Sequence, residues 1–153
     1  SQIDELIALA SQELTNRLGK NPEIFRAPGG ISNAHTRTCL YQLGYRIDAS
    51  LAEFPQVHRD QSGLVLVPYQ WSGVDATHWL WSQKTHDAVF KAWADTLDHA
   101  AANNEHIVFI WHPHVMGIDP QRLAVGRKIL ALVLDDPRFE VSTLTKLGEQ
   151  PLP

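Results

Sequence analysis

Ile107-Val108-Phe109-Ile110-Trp111-His112-Pro113-His114 is the stretch on which the reading of the fold turns. Residues 107–111 are apolar without interruption and rich in β-branched side chains. That is the pattern of a strand covered on both faces, as strands of parallel sheets are. Pro113 has no N–H to give a ladder, so the strand should end at His112. Outward from it, Leu64-Val65-Leu66-Val67 is a second such run, and Ile24-Phe25, Tyr45-Arg46-Ile47-Asp48 and Phe139-Glu140-Val141 are shorter candidates.

Helical periods fill the intervals. Ser1 is placed to cap a helix carrying Ile3, Leu6, Ile7, Ala10, Leu14 and Leu18, and Gly19 with Asn21-Pro22 should stop it. Asn33 should cap a helix through Leu40 and Leu43 that Gly44 ends. Asp87 should open a helix with Val89, Phe90, Trp93 and Leu97 on one face. Asp119-Pro120 reads as an N-cap with proline at the first helical position, beginning a helix that ends near Asp135-Asp136-Pro137. Ser142 should cap a terminal turn. Residues 51–62 read as irregular, and 68–84 as a Trp-rich loop.

About five strands alternating with helices, without tight hairpins, argue for parallel βα units in one α/β domain over residues 1–153. A complete barrel takes roughly 250 residues, so a barrel here would lack a part. The chain begins at Ser1 without an initiator methionine and enters a helix directly, as expected of a processed, truncated or fragmentary chain.

Composition narrows the function. The net charge of −4 and the absence of a basic stripe are unlike a phosphate-backbone binder, so no nucleic-acid partner is expected. No apolar run reaches the roughly 18–20 residues of a membrane span. Cys39 is the only cysteine, which rules out an internal disulfide, and it lies on the apolar side of its helix, as a packed residue would.

In parallel α/β folds, polar residues at the C-terminal ends of strands are the ones offered to substrate. Arg26 and His112 hold such positions. Arg26 precedes Pro28-Gly29-Gly30, a turn that lets backbone approach a ligand closely. Either residue could instead be structural, Arg26 in a surface ion pair and His112 in a core hydrogen bond.

Taken in order, Phe25-Arg26-Ala27-Pro28-Gly29-Gly30, Leu43-Gly44-Tyr45 and Ile110-Trp111-His112-Pro113, followed by Gly117 and Arg122, resemble the pattern of the polysaccharide deacetylases (NodB-like, carbohydrate esterase family 4). The resemblance spans nearly the whole chain. It implies a partial, deformed (β/α)7 barrel whose N-terminal part is missing. It also implies a metal-dependent hydrolase of non-peptide C–N bonds, acting on an N-acetylated amino-sugar polymer. The His-Pro-x-x-x-Gly strand end is similar to relatives acting on small or cyclic amides such as allantoin. A non-catalytic carbohydrate-binding remnant is a further alternative.

By the same resemblance, a divalent metal, often zinc, is held by one aspartate and two histidines, and another aspartate is the general base. Arg26 would orient that base, since a guanidinium fork holds a carboxylate bidentately. His112 would be the general acid that protonates the leaving amine. Neither the family's Asp-Asp pair nor its His-x-x-x-His stretch occurs here, and Asp135-Asp136 sits at a helix end rather than a strand end. The metal ligands are therefore expected upstream of Ser1, in an N-terminal half of the same protein acting as partner. An isolated chain should be inactive and could pair with itself.

In the family a carboxylate often tunes the acid histidine, and Asp48 and Asp75 are candidates, each also readable simply as a loop cap or turn residue. Trp71, Trp79 and Trp81 could stack on sugar rings, with Pro28 and Gly29 also lining substrate, or could form a small core of their own. Among eight histidines, His112 and His114 could chelate a metal, but Pro113 breaks the strand between them. No metal ligand is assigned within the chain.

Overall fold

The computed structural model describes residues 2–51 and 56–149; the expected cap Ser1 lies outside them. The fold is α/β, and the chain divides into two compact units, one of Ser1–Pro68 with Ser142–Pro153 and one of Tyr69–Val141. No helix among the described residues is long and apolar enough to cross a membrane.

In the first unit, α1 (Gln2–Leu18) ends at Gly19, whose φ of 71° lets its N–H turn back to the Thr15 carbonyl at 2.9 Å. β1 (Ile24–Phe25) follows, then a 3-10 turn at Pro28–Gly30. α2 (Ala34–Gln42) is capped as its sequence indicates, with Asn33 Oδ1 accepting the Thr36 N–H at 2.9 Å. β2 (Ile47–Asp48), β3 (His58–Arg59) and β4 (Val65–Leu66) complete a four-stranded sheet in the order β1-β2-β4-β3. β1, β2 and β4 run parallel, and β3 is antiparallel to β4.

The run 64–67 is covered on both faces. Leu64 and Leu66 join Leu40 and Tyr45, with Ile7, Phe25 and Leu43 against them. Val65 and Val67 point the other way, joining Ile47, Val57 and Leu144 and Leu147 of the terminal helix Leu144–Glu149. Ser11, buried in α1, bonds the Tyr45 hydroxyl at 2.9 Å, so the polar edges of this core are paired. The cap of the terminal helix is Thr143, whose Oγ1 accepts the Lys146 N–H at 3.2 Å, and not Ser142.

The second unit is built on α3 (His86–Asn103), α4 (Pro113–Met116) and α5 (Pro120–Asp135). Thr85 caps α3 by accepting the Ala88 N–H at 3.3 Å, and Asp87 lies in the first turn. Asp119 caps α5, and the Gln121 N–H it accepts holds its carboxyl below the usual range. Gly126 brings α5 close to α4, since a Cβ there would lie 2.5 Å from Met116 Cε.

Trp93 is the centre of this core. It is fully buried, meeting Trp79, Phe109 and Trp111 at ring-centroid distances of 5.4, 5.5 and 5.9 Å among Val89, Leu97, Val115 and Ile129. Trp93→Ala should cost about 3–5 kcal/mol through the cavity it leaves. A urea melt of the variant is the check, and an unchanged midpoint would contradict this packing.

Two of the five expected parallel strands are not ladder strands. Residues 107–111 enter the four-stranded sheet nowhere, and Ile110 forms only a single parallel bridge with Val74. Ile107, Phe109 and Trp111 of the apolar run pack on the core, while the backbone of Val108 and Ile110 lies against the 73–75 segment. Phe139 also packs on this core, but from a turn in which its N–H reaches the Asp136 carbonyl at 3.1 Å. Pro137 has no N–H for a ladder and favours that turn.

Candidate active site

Asp75 and His112 meet because the single bridge between the 73–75 and 108–112 segments sets their register. The Ile110 N–H bonds the Gly73 carbonyl at 3.0 Å, and the Asp75 N–H bonds the Ile110 carbonyl at 3.1 Å. Each functional side chain then sits just past this bridge. Asp75 has no exposed surface, whereas the His112 side chain is 38 % exposed.

The carboxylate holds the histidine at two points. Asp75 Oδ1 accepts His112 Nδ1–H at 2.6 Å and the Ala76 N–H at 2.7 Å, and Oδ2 accepts the His112 backbone N–H at 2.7 Å. A buried carboxylate would be costly without such donors. Because it accepts only, it fixes the proton on Nδ1 and directs Nε2 to the outer side of the ring. Nε2 is the position at which such a ring gives or takes a proton. His114, at the start of α4, places its ring 5.3 Å from that of His112.

The other predicted residues fall in two places. Arg26 lies at the end of β1 in the first unit, exposed, with Nε donating to the Ala49 carbonyl at 2.8 Å. Asp48, buried at the end of β2, accepts the Ser50 N–H at 3.1 Å in an Asx-type turn. Ser50 Oγ in turn accepts the Ala27 N–H at 2.8 Å, and the Leu51 N–H reaches the Gly30 carbonyl at 2.8 Å. Asp48 thus shapes the loop beside the Arg26 turn, and the carboxylate that holds His112 is Asp75. Pro28 and Gly29 are exposed in that turn, with Gly29 at a φ of 69° and open space where a side chain would stand.

The three tryptophans separate. Trp71 and Trp81 are exposed and lie 5.2 Å apart at 54°, with Tyr69 edge-on to Trp71 at 5.9 Å. Trp79 is a core residue instead, buried against Trp93 with the Arg122 guanidinium 5.5 Å over its ring. The segment 71–81 is not a plain loop but a 3-10 turn (Trp71–Gly73) and a π-helical turn (Thr77–Trp81), which aims neighbouring aromatics in opposite directions.

His78 was not among the predicted site residues. It is buried, its Nε2–H donating to the Ser72 carbonyl at 2.7 Å and its Nδ1 accepting from Lys84 Nζ at 3.1 Å. Trp93 Nε1–H reaches the same carbonyl at 3.0 Å. A histidine flanked by Thr77 and Trp79 in a tryptophan-rich run was the available signal. Cys39 is only partly exposed, and burial, with the Asp4 carboxylate nearby, pushes its thiol up, away from nucleophilic use.

Among the described residues no three His, Cys, Asp or Glu side chains lie together as metal ligands. The Asp75 oxygens and His112 Nδ1 are committed to each other and to the backbone. These residues therefore do not fit a metal centre.

No family model matches the sequence, and no curated protein matches it. Solved structures do. A candidate polysaccharide deacetylase from Mycobacterium smegmatis superposes with a TM-score of 0.81 at 21% identity, over 95% of this chain and 55% of that one. Puue allantoinase gives a TM-score of 0.81 at 17% identity, over 96% of this chain and 51% of that one. The chain spans about half the length of the solved structures it matches. What it shares with both at these identities is the fold, and the fold of this chain is of the polysaccharide deacetylase type.

Proposed function

We propose that the chain supplies the proton-donating part of an amide hydrolase that removes N-acetyl groups from an amino-sugar polymer. The observation that carries this reading is the buried Asp75 carboxylate bonded to both the ring and the backbone of His112. An amine is expelled from a tetrahedral intermediate as a neutral group only if its nitrogen is protonated. His112, held by Nδ1, offers Nε2–H for that transfer, and Asp75 stabilises the imidazolium before it.

Arg26 would orient the general base. Trp71 and Trp81 would stack on sugar rings, and Pro28 and Gly29 would line substrate at the Arg26 turn. The water-activating aspartate and the divalent metal, zinc in the usual form of the family, have no counterpart among the described residues. We place them in a segment matching the half of the solved structures that this chain does not span, within a longer deformed barrel. β1 is an end strand of its sheet, and α1 keeps Ile3, Leu6 and Leu14 exposed, which supports such a partner.

The likeness to an allantoinase favours a second reading, hydrolysis of a small or cyclic amide by the same groups. The test is the full-length protein offered N-acetylglucosamine oligomers and allantoin side by side. Acetate release supports the first reading, and allantoin hydrolysis alone supports the second. Hydrolysis of neither, with oligomer binding that quenches tryptophan fluorescence, would leave only a carbohydrate-binding role.

A further inference from the structure

Asp75 and His112 are 37 residues apart in sequence, yet bond at 2.6 Å. What sets this distance lies in the turn before Asp75. Gly73 sits so close to the 108–110 segment that a Cβ on it would fall within the contact distance of the Val108 carbonyl oxygen, with Phe109 Cα 3.7 Å away. Those atoms are backbone and cannot swing aside. Only a glycine lets the Gly73 carbonyl come within 3.0 Å of the Ile110 N–H, the bond that starts the bridge leading to Asp75.

The same turn is held at a second point. The carbonyl of Ser72, adjacent to Gly73, accepts His78 Nε2–H and Trp93 Nε1–H at 2.7 and 3.0 Å. Trp93 is locked in the core, so the turn is both held by a core residue and limited by the 108–110 backbone. Beyond Gly73, the chain to Asp75 contains only Val74, which pairs with Ile110.

We propose that Gly73 is a positioning residue for the Asp75–His112 pair, with His78 as its second anchor through the Ser72 carbonyl. This rests on the acid role given to His112 above, but the geometry can be read without activity. In Gly73→Ala, the added methyl forces the turn off Val108, stretches the Ile110–Gly73 bond and moves the carboxylate away from Nδ1. Displacements of this size at a reacting group cost roughly 100-fold in turnover. KM should change little, because Gly73 is buried.

The experiment uses full-length protein. A short Nδ1–H bond to a buried carboxylate gives a far-downfield proton NMR resonance, which His112→Ala assigns. Gly73→Ala should abolish or broaden it and lower kcat about 100-fold. His78→Phe, which keeps ring volume but withdraws the bond to Ser72, should broaden it. A folded Gly73→Ala with the resonance unshifted overturns the proposal. If the resonance is lost but turnover is unchanged, Gly73 positions the pair and the acid role of His112 fails. Should both variants fail to fold, amide exchange in the wild-type protein decides. Slow exchange at Ile110 and Asp75 supports the proposal, and fast exchange at Ile110 overturns it.

Discussion

His112→Ala in the full-length protein should lower kcat for an N-acetyl amide by about 10²–10⁴-fold, the range for loss of a general acid. The reason is the leaving group. An alkylamine expelled without a proton is a very strong base, so the intermediate collapses back to the amide unless Nε2 protonates the nitrogen first. KM should be nearly unchanged, because the ring binds the transition state rather than the ground state. The variant also carries its own control. On an aryl ester or activated anilide, whose leaving group departs without help, the loss should shrink toward unity. Wild-type turnover of the amide, or an equal loss on both substrates, would remove the acid role.

The second large effect is expected of Asp75→Asn. The replacement keeps the shape but turns one oxygen into a donor, facing either the His112 N–H or Nδ1–H, which now have only one acceptor to share. Nδ1 then loses its anionic partner, the other tautomer competes, and the imidazolium loses its counter-charge. Turnover should fall by roughly 10²–10⁴-fold. Because Asp75 is fully buried and also accepts the Ala76 N–H, the fold pays as well, about 1–3 kcal/mol for a buried donor left unpaired. Urea denaturation and steady-state kinetics on one preparation check both parts. A variant with normal stability and reduced turnover would place Asp75 in catalysis alone, and one with reduced stability and normal turnover would make it structural.

How far the sequence could be read depends on the range of the interaction. Helix ends depend on a few neighbouring residues, and Gly19, Asn33 and Asp119 were legible for that reason. Arg26 was legible as a strand end, since Pro-Gly-Gly marks the place where pairing stops; His112 was legible only as the residue at which the extended run gives way to Pro113, because no ladder strand precedes it. Which carboxylate holds His112 was not, because Asp48 and Asp75 both lie beyond candidate strands, Asp48 at the end of the Gly-Tyr strand and Asp75 in the loop after residues 64–67. Their difference lies in the Val74–Ile110 bridge, a contact between distant segments. The same limit applies to residues 107–111, whose composition suits a doubly covered strand but whose one neighbour is a bridge. It applies also to β3, where His58-Arg59 carries no apolar signal and pairs because β4 offers it an edge. Trp79 and Trp81 look alike in sequence, and only the π-helical turn sends one into the core and the other to solvent.

The terminal helix Leu144–Glu149 has a consequence for how the chain is made. Its Leu144 and Leu147 close the Ile47, Val65 and Val67 cluster, yet they leave the ribosome after all of Tyr69–Val141. The second unit is contiguous and can condense as soon as it emerges. The first must wait, with one face of its sheet open, until the last turn of helix arrives. The residues of the unit that carries the Asp75–His112 pair are therefore all made before the sheet bearing Arg26 can be closed.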